Sequence, residues 1–193
     1  MRDPWPLSLR RRMAIPAAVS LLLGVALGWG PGAAPAVGTS PPWERLRYFV
    51  GSWSGEGQGE PGTSTVKREY RPILRERFLE VRNTSTYLPQ PTNPKGEVHE
   101  DTGIFSWDRS RHRFVLRQFH VEGFVNHYVA DSVQVDSDSL VFTSESLENI
   151  PPGFRARETY RFLGPDEFLE RFEMAEPGKT FTVYSETRLK RAK

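Results

Sequence analysis

The sequence predicts an all-β domain, a ten-stranded antiparallel up-and-down β-barrel behind a short N-terminal helix. Three observations point there. Beyond residue 50 no stretch has helical periodicity of any length; short segments of period-two character recur between clusters of Gly, Pro, Asn, Asp and Ser. The separators are short, so consecutive strands pair as neighbours, and closing the last strand onto the first removes the edges of an open sheet. The segment 112–121 carries mixed faces: Phe114, Leu116, Gln118 and His120 on one, Arg113, Val115, Arg117 and Phe119 on the other. An interior that accepts polar side chains suits a barrel with a lined cavity better than a solid sandwich.

The chain opens with Arg10-Arg11-Arg12, then seventeen uncharged residues from Met13 to Trp29, then the small-residue run Pro31-Gly-Ala-Ala-Pro-Ala36. Basic, apolar and small-residue regions in that order describe a secretory signal peptide. Residues 1–36 are therefore expected to direct the chain to the periplasm or out of the cell. An uncleaved membrane anchor is the minor alternative, because seventeen residues sit at the short limit for a span. Cleavage would leave no stable membrane span. Residues 37–42 read as a linker and 43–193 as the domain. A helix is expected over Trp43–Val50, and strands near 51–59, 64–74, 77–88, 98–108, 112–121, 124–135, 139–147, 154–163, 167–174 and 180–191. Turn chemistry separates them at Asp108–Arg111, Asp136–Asp138, Asn149–Gly153, Gly164–Asp166 and Glu176–Gly178.

Composition excludes several classes. There is no cysteine, so disulfides, zinc ribbons, iron–sulfur clusters and thiol nucleophiles are ruled out. The net charge of +2 belongs to the leader, since residues 37–193 hold 22 basic and 23 acidic residues. That domain has no basic footprint for nucleic acid. No G-x-S-x-G elbow, phosphate loop or dinucleotide fingerprint occurs.

The run Gly51-Ser-Trp53-Ser-Gly55-Glu-Gly57-Gln-Gly59 follows directly on the expected helix. Glycines at alternate positions strip one face of a strand, so that it bends or lets a bulky group approach. Trp53 has the size to plug one end of a barrel. A G-x-W at the start of the first strand resembles the signature of calycin barrels, the lipocalin and fatty-acid-binding class. The longer glycine run resembles nitrobindin-type haem-binding β-barrels. His99-Glu-Asp101-Thr-Gly103-Ile-Phe105 is similar to that family's H-x-E-x-G-F segment, and the layout from Tyr160 to Arg191 is similar as well. The resemblance implies a calycin-like barrel, with haem as cofactor and NO or peroxynitrite as substrate. It also implies a haem-ligating histidine in the last strand, where this chain has Tyr184. Tyrosinate ligates ferric haem when a neighbouring Arg or His lowers its pKa, and Arg188 lies roughly 13 Å further along the strand.

The expected partner is a hydrophobic or amphipathic small molecule, held without chemistry in the barrel. Trp53, His99, Phe105, Arg157 and Tyr184 are the candidate ligand-binding residues, with Tyr184 also the candidate haem ligand. Arg157 and Tyr184 together could clamp an anionic head group. In the alternative, Arg157 faces outward against acids such as Glu170 or Glu186, because Phe154, Ala156, Tyr160 and Phe162 mark the opposite face as buried. His120, Glu122 and His127 are close enough across a hairpin to be weighed as metal ligands, against a default of hydrogen-bonded histidines. His112, between two arginines, reads as a surface residue. Two further readings stand beside the binding barrel: a haem-dependent peroxynitrite isomerase, and a filled barrel that serves as an interaction module.

Overall fold

The computed structural model describes residues 43–131 and 138–193. The expected signal peptide, the linker and the 132–135 end of the sixth strand lie outside the described residues. Within them the chain forms helix α1 (Trp43–Arg47) and ten strands: β1 (Gly51–Gly59), β2 (Gly62–Ile73), β3 (Phe78–Tyr87), β4 (Glu97–Asp108), β5 (Arg113–His120), β6 (Val125–Ala130), β7 (Ser139–Glu148), β8 (Arg155–Gly164), β9 (Glu167–Ala175) and β10 (Thr182–Arg191). The strands close into an antiparallel barrel in which each pairs with its neighbours in sequence and β1 pairs with β10. The expected class, strand number and order are those observed. No helix among the described residues is long and apolar enough to cross a membrane.

Closure depends on β1. In register, Gly55 faces Leu189, Gly57 faces Thr187 and Gly59 faces Ser185 of β10. A Cβ on Gly55 would lie 1.9 Å from the Arg188 carbonyl oxygen, and one on Gly59 would lie 2.1 Å from that of Tyr184. The two backbones meet where those side chains would have been. The alternating glycines therefore allow the close approach that shuts the barrel.

The two ends of the barrel differ. At one end, α1 and the residues after it fold over the opening, with Leu46 and Phe49 fully buried. Phe49 stacks on Tyr70 with ring centroids 5.2 Å apart and meets Phe168 edge-on at 5.1 Å. Trp53 meets Phe168 at 4.8 Å, donates its indole N–H to the Phe49 carbonyl at 2.6 Å, and carries the Arg191 guanidinium over its ring. Phe105, Phe114, Phe142 and Tyr160 complete a solid aromatic core. The opposite end stays open. Inward positions there turn polar: Phe114 and Leu116 give way to Gln118 and His120 along β5, and Phe105 and Gly103 give way to Asp101 and His99 along β4.

Three irregularities set which residues face in. The register of β10 shifts between Val183 and Ser185, leaving Tyr184 as the extra residue of a bulge. The pairing of β6 with β7 shifts at His127/Tyr128, and that of β8 with β9 shifts at Phe162/Gly164. A bulge inverts the alternation beyond it, so Tyr184 and Ser185 both reach the interior.

Replacing Gly55 by Ala puts a methyl group into the β10 backbone, which has no rotamer to yield. We expect a loss of at least about 3 kcal/mol in urea unfolding, or no folded product. Gly164, whose Cβ would meet nothing within 4 Å, is the control. Gly164→Ala should stay within about 0.5 kcal/mol of the parent. Equal effects at the two positions would show that the seam is not what Gly55 serves.

Candidate ligand cavity

The open half of the barrel holds a cavity of about 350 Å³. Its floor is built where polar residues begin on the inward columns. Arg68 of β2 and Glu170 of β9 form a buried ion pair across the barrel, and Arg68 Nε also donates to Asn83 Oδ1 at 3.1 Å. Asp101 of β4 accepts from Asn83 Nδ2 at 2.7 Å and from Gln118 Nε2 at 3.4 Å. Glu158 of β8 lies beside them, with Tyr128 and Tyr160 below. Above the floor the lining is apolar at Phe124, Leu147, Ile150, Phe172 and Met174, and acidic or aromatic at Glu97, Glu122, Tyr87 and Tyr184.

Two histidines stand between rim and floor. His99 Nδ1–H donates to Glu122 at 2.7 Å, and its Nε2 lies 3.5 Å from Asp101 Oδ2. Those hydrogen bonds, the one to Asp101 foremost, outweigh burial and push the imidazole up to about 9. The His120 ring lies 5.5 Å from that of His99 and stacks on Phe124 at 4.0 Å. Burial lowers its pKa, so it is neutral where His99 is charged. Burial works against the charge on Asp101, but the His99 hydrogen bond, Arg68 and His120 together hold that carboxyl below its usual range.

Glu158 behaves differently. Burial drives its pKa well above the ordinary 4.5, the charge on Glu170 adds to the rise, and Arg68 opposes it. One guanidinium faces two buried carboxyls, and Glu170 has taken it. Glu158 is therefore the carboxyl at this level that favours its protonated form. Its Oε2, together with Gln118 Oε1 and His120 Nδ1, is buried without a hydrogen-bond partner among the described residues. Such atoms cost roughly 1–3 kcal/mol each and are rare in folded proteins. All three line the same cavity and are open to partners that enter it.

The structure gathers only part of the expected set. His99 and Tyr184 line the cavity. Trp53 and Phe105 do not; both are packed in the solid end of the barrel, where their size closes the floor. Arg157 lies on the outer face, where it makes two hydrogen bonds of 2.7 Å to Glu173 and lies over the Phe181 ring. It cannot clamp a ligand with Tyr184. Its partner is neither Glu170, which points inward to Arg68, nor Glu186, which pairs with Arg171. His127 sits outside against Glu148, so it does not join His120 and Glu122. Asp101, Gln118, Asn126 and Glu158, together with Arg68 and Glu170, were absent from the expected set. Their signal was a polar residue in an otherwise apolar period-two column: Glu158 lies between Ala156 and Tyr160, and Glu170 between Phe168 and Phe172.

The surroundings of Tyr184 do not suit a haem ligand. Burial raises its phenol pKa, and Glu60, Tyr87, Glu97 and Glu122 raise it further. A tyrosinate needs the opposite. Arg188 is turned outward to Glu167 at 2.7 Å. The floor beneath is occupied by the Arg68–Glu170 pair and is not an apolar slot for a macrocycle.

No protein-family model matches the chain, and neither does any curated protein. Solved structures do. The chain is similar to Rv2717c from M. tuberculosis, with a TM-score of 0.59 and 19% identity over 80% of this chain and 99% of that one. It is also similar to the S-type phycobiliprotein lyase CPES from Guillardia theta, with a TM-score of 0.51 and 14% identity over 81% of this chain and 95% of that one. At these identities the likeness is one of fold, a closed antiparallel β-barrel.

Two outcomes follow. The folded state keeps a proton on Glu158 that the unfolded chain releases near pH 4.5. The associated stability is complete below that pH and is lost as the pH rises towards the folded-state value, by up to about 1.4 kcal/mol per unit. The groups facing it, Arg68, Asp101, Glu170, Tyr128 and Tyr160, are common to parent and variant. Glu158→Gln should therefore gain on the parent steadily between pH 5 and 8 in urea unfolding; parallel pH profiles would refute a protonated Glu158. Ferric haem titrated into the full chain should produce no stoichiometric Soret shift, and a shift abolished by Tyr184→Phe would reverse the conclusion about Tyr184.

Proposed function

We propose that this protein is a non-catalytic small-molecule-binding barrel that takes an amphipathic ligand head-first, with a cationic, hydrogen-bond-donating head on the floor and an apolar portion against the rim. The observation that carries this reading is the set of buried, partnerless polar atoms, Gln118 Oε1 and Glu158 Oε2 in particular, at the base of a cavity with one apolar wall. A primary ammonium, amidinium or guanidinium offers donors to both. Its charge would draw the proton from Glu158 and leave a carboxylate paired with the ligand. The floor's own cation, Arg68, is already committed to Glu170, while Glu97 and Glu122 at the mouth attract positive charge and repel carboxylates. A volume of about 350 Å³ lies in the range of small-ligand sites. Export to the periplasm or beyond, expected from residues 1–36, would place such a barrel where it meets ligands outside the cytoplasm.

The test compares ligands of one chain length. Dodecylamine, dodecanol and dodecanoate are titrated below their micelle concentrations into metal-free full chain, in EDTA, by calorimetry. The amine should saturate at one equivalent and bind at least about tenfold more tightly than the carboxylate, with release of a proton. Glu158→Gln should abolish the proton release and narrow the gap between amine and alcohol. Tighter binding of dodecanoate, or no saturable binding of any of the three, would sink the proposal.

A further inference from the structure

The polar cluster between rim and floor has a geometry that an organic head group does not require. His99, Asp101 and His120 each offer one ligand atom, and these atoms lie within 4.8 Å of one another. Asp101 and His120 face each other in the β4–β5 register, and His99 is two residues from Asp101 on the same inward column. We infer that His99, Asp101 and His120 form a binding site for a divalent first-row transition ion, Zn2+ foremost, at the mouth of the barrel.

The donor set is two imidazole nitrogens and one carboxylate oxygen, the combination that three-ligand zinc sites use while leaving a position open. In a tetrahedral site with bonds near 2.0–2.1 Å, ligand atoms lie about 3.4 Å apart. The His99 Nε2–Asp101 Oδ2 separation of 3.5 Å already meets that spacing. His120 needs an approach of about 1.4 Å at most, within the reach of a side-chain rotation.

The supporting shell is in place. Ligating histidines usually give their second ring N–H to a carboxylate or carbonyl, which fixes the ring and raises its basicity. His99 does so through Nδ1 to Glu122 at 2.7 Å, leaving Nε2 directed at Asp101. Asp101 is steadied by Asn83 and Gln118. His120 is clamped by Phe124 and held at Nε2 by the Asn126 amide at 3.1 Å, while its Nδ1 is buried without a partner among the described residues. The Asn126 amide can turn its oxygen or its NH2 to that ring, so either tautomer of His120 is available. An orphaned imidazole nitrogen beside a positioned imidazole and a buried carboxylate is an independent sign of a ligand. The ion's open position would face the cavity.

A second trio, Glu97, His99 and Glu122, also brings its ligand atoms together, but at the exposed rim. There Glu122 would be a ligand and no longer the support for His99. The two arrangements make opposite demands on Glu97 and Asp101.

The experiment uses the full chain and the metal alone, so it does not depend on the organic ligand proposed above. Co2+ is titrated at mildly alkaline pH, where loss of the His99 proton competes less with loading, and is then displaced by Zn2+. One equivalent should bind with the intense visible bands of a four- or five-coordinate site. Affinity should fall at least about tenfold in each of His120→Ala, His99→Gln and Asp101→Asn, and about 10–100-fold in Glu122→Gln. His127→Asn should leave it unchanged, and Glu97→Gln, which removes only an attracting charge at the mouth, should lower it by less than about threefold. Near-UV circular dichroism identifies any variant that has lost its fold, and three ligand variants keep the test decisive if Asp101→Asn is one. Absence of saturable binding at one equivalent overturns the site. So does binding that survives His120→Ala, or that Glu97→Gln abolishes while Asp101→Asn spares.

Discussion

A ten-stranded sheet can close only if its first and last strands approach as neighbours, and in this chain that approach runs through the bare face of β1. Gly55 and Gly59 leave room for the backbone of β10, and a methyl group at Gly55 would collide with a carbonyl. Once closed, the barrel has an inside whose volume must be filled or opened. The chain does both. Aromatic side chains, topped by α1 and anchored by Trp53 beneath Arg191, fill one half. Inward positions in the other half become polar at the level of Asp101, Gln118 and Glu158, and there the packing stops.

That boundary is electrostatic as much as steric. Arg68 and Glu170 span the barrel as a buried pair, stable only because each supplies the other's missing solvation. Glu158, the second carboxyl at that level, has no guanidinium left and escapes the cost of a buried charge by keeping a proton. Higher up, Asp101 and Glu122 share the charge of His99. Carboxyl groups outnumber the cations available to them throughout the open half. The same surplus makes it receptive both to a cationic head group at the floor and to a metal ion nearer the mouth.

The outer surface is organised differently. Arg157 with Glu173, Arg171 with Glu186 and Arg188 with Glu167 form cross-strand pairs on the solvent side. Such pairs contribute little each to stability, but they keep the barrel wall charged and resistant to sheet-on-sheet association. They also account for half of the six arginines in the last three strands, which is why a count of charges says nothing about the cavity.

The number, order and approximate limits of the strands follow from local chemistry: period-two alternation, Pro and Gly at the turns, and a glycine run that only a tightly bent strand needs. Strand ends agree to within two residues except at β6, which ends at Ala130 while the expectation ran on to 135, outside the described residues. The column His99, Asp101, Gly103, Phe105 was legible as a unit, and His99 within it lines the cavity. What a strand does beyond itself was not legible. Arg157 and Glu158 are neighbours in sequence with opposite fates, because one faces water and the other Glu170. Tyr184 owes its inward position to a bulge, which depends on how β9 lies alongside. His120 meets His99 rather than His127 because barrel curvature brings β4 and β5 side chains together inside while His127 points out. Alternation and turn chemistry are properties of a few consecutive residues and can be read from them. The site is made by side chains from nine of the ten strands, and the contacts among them exist only after closure.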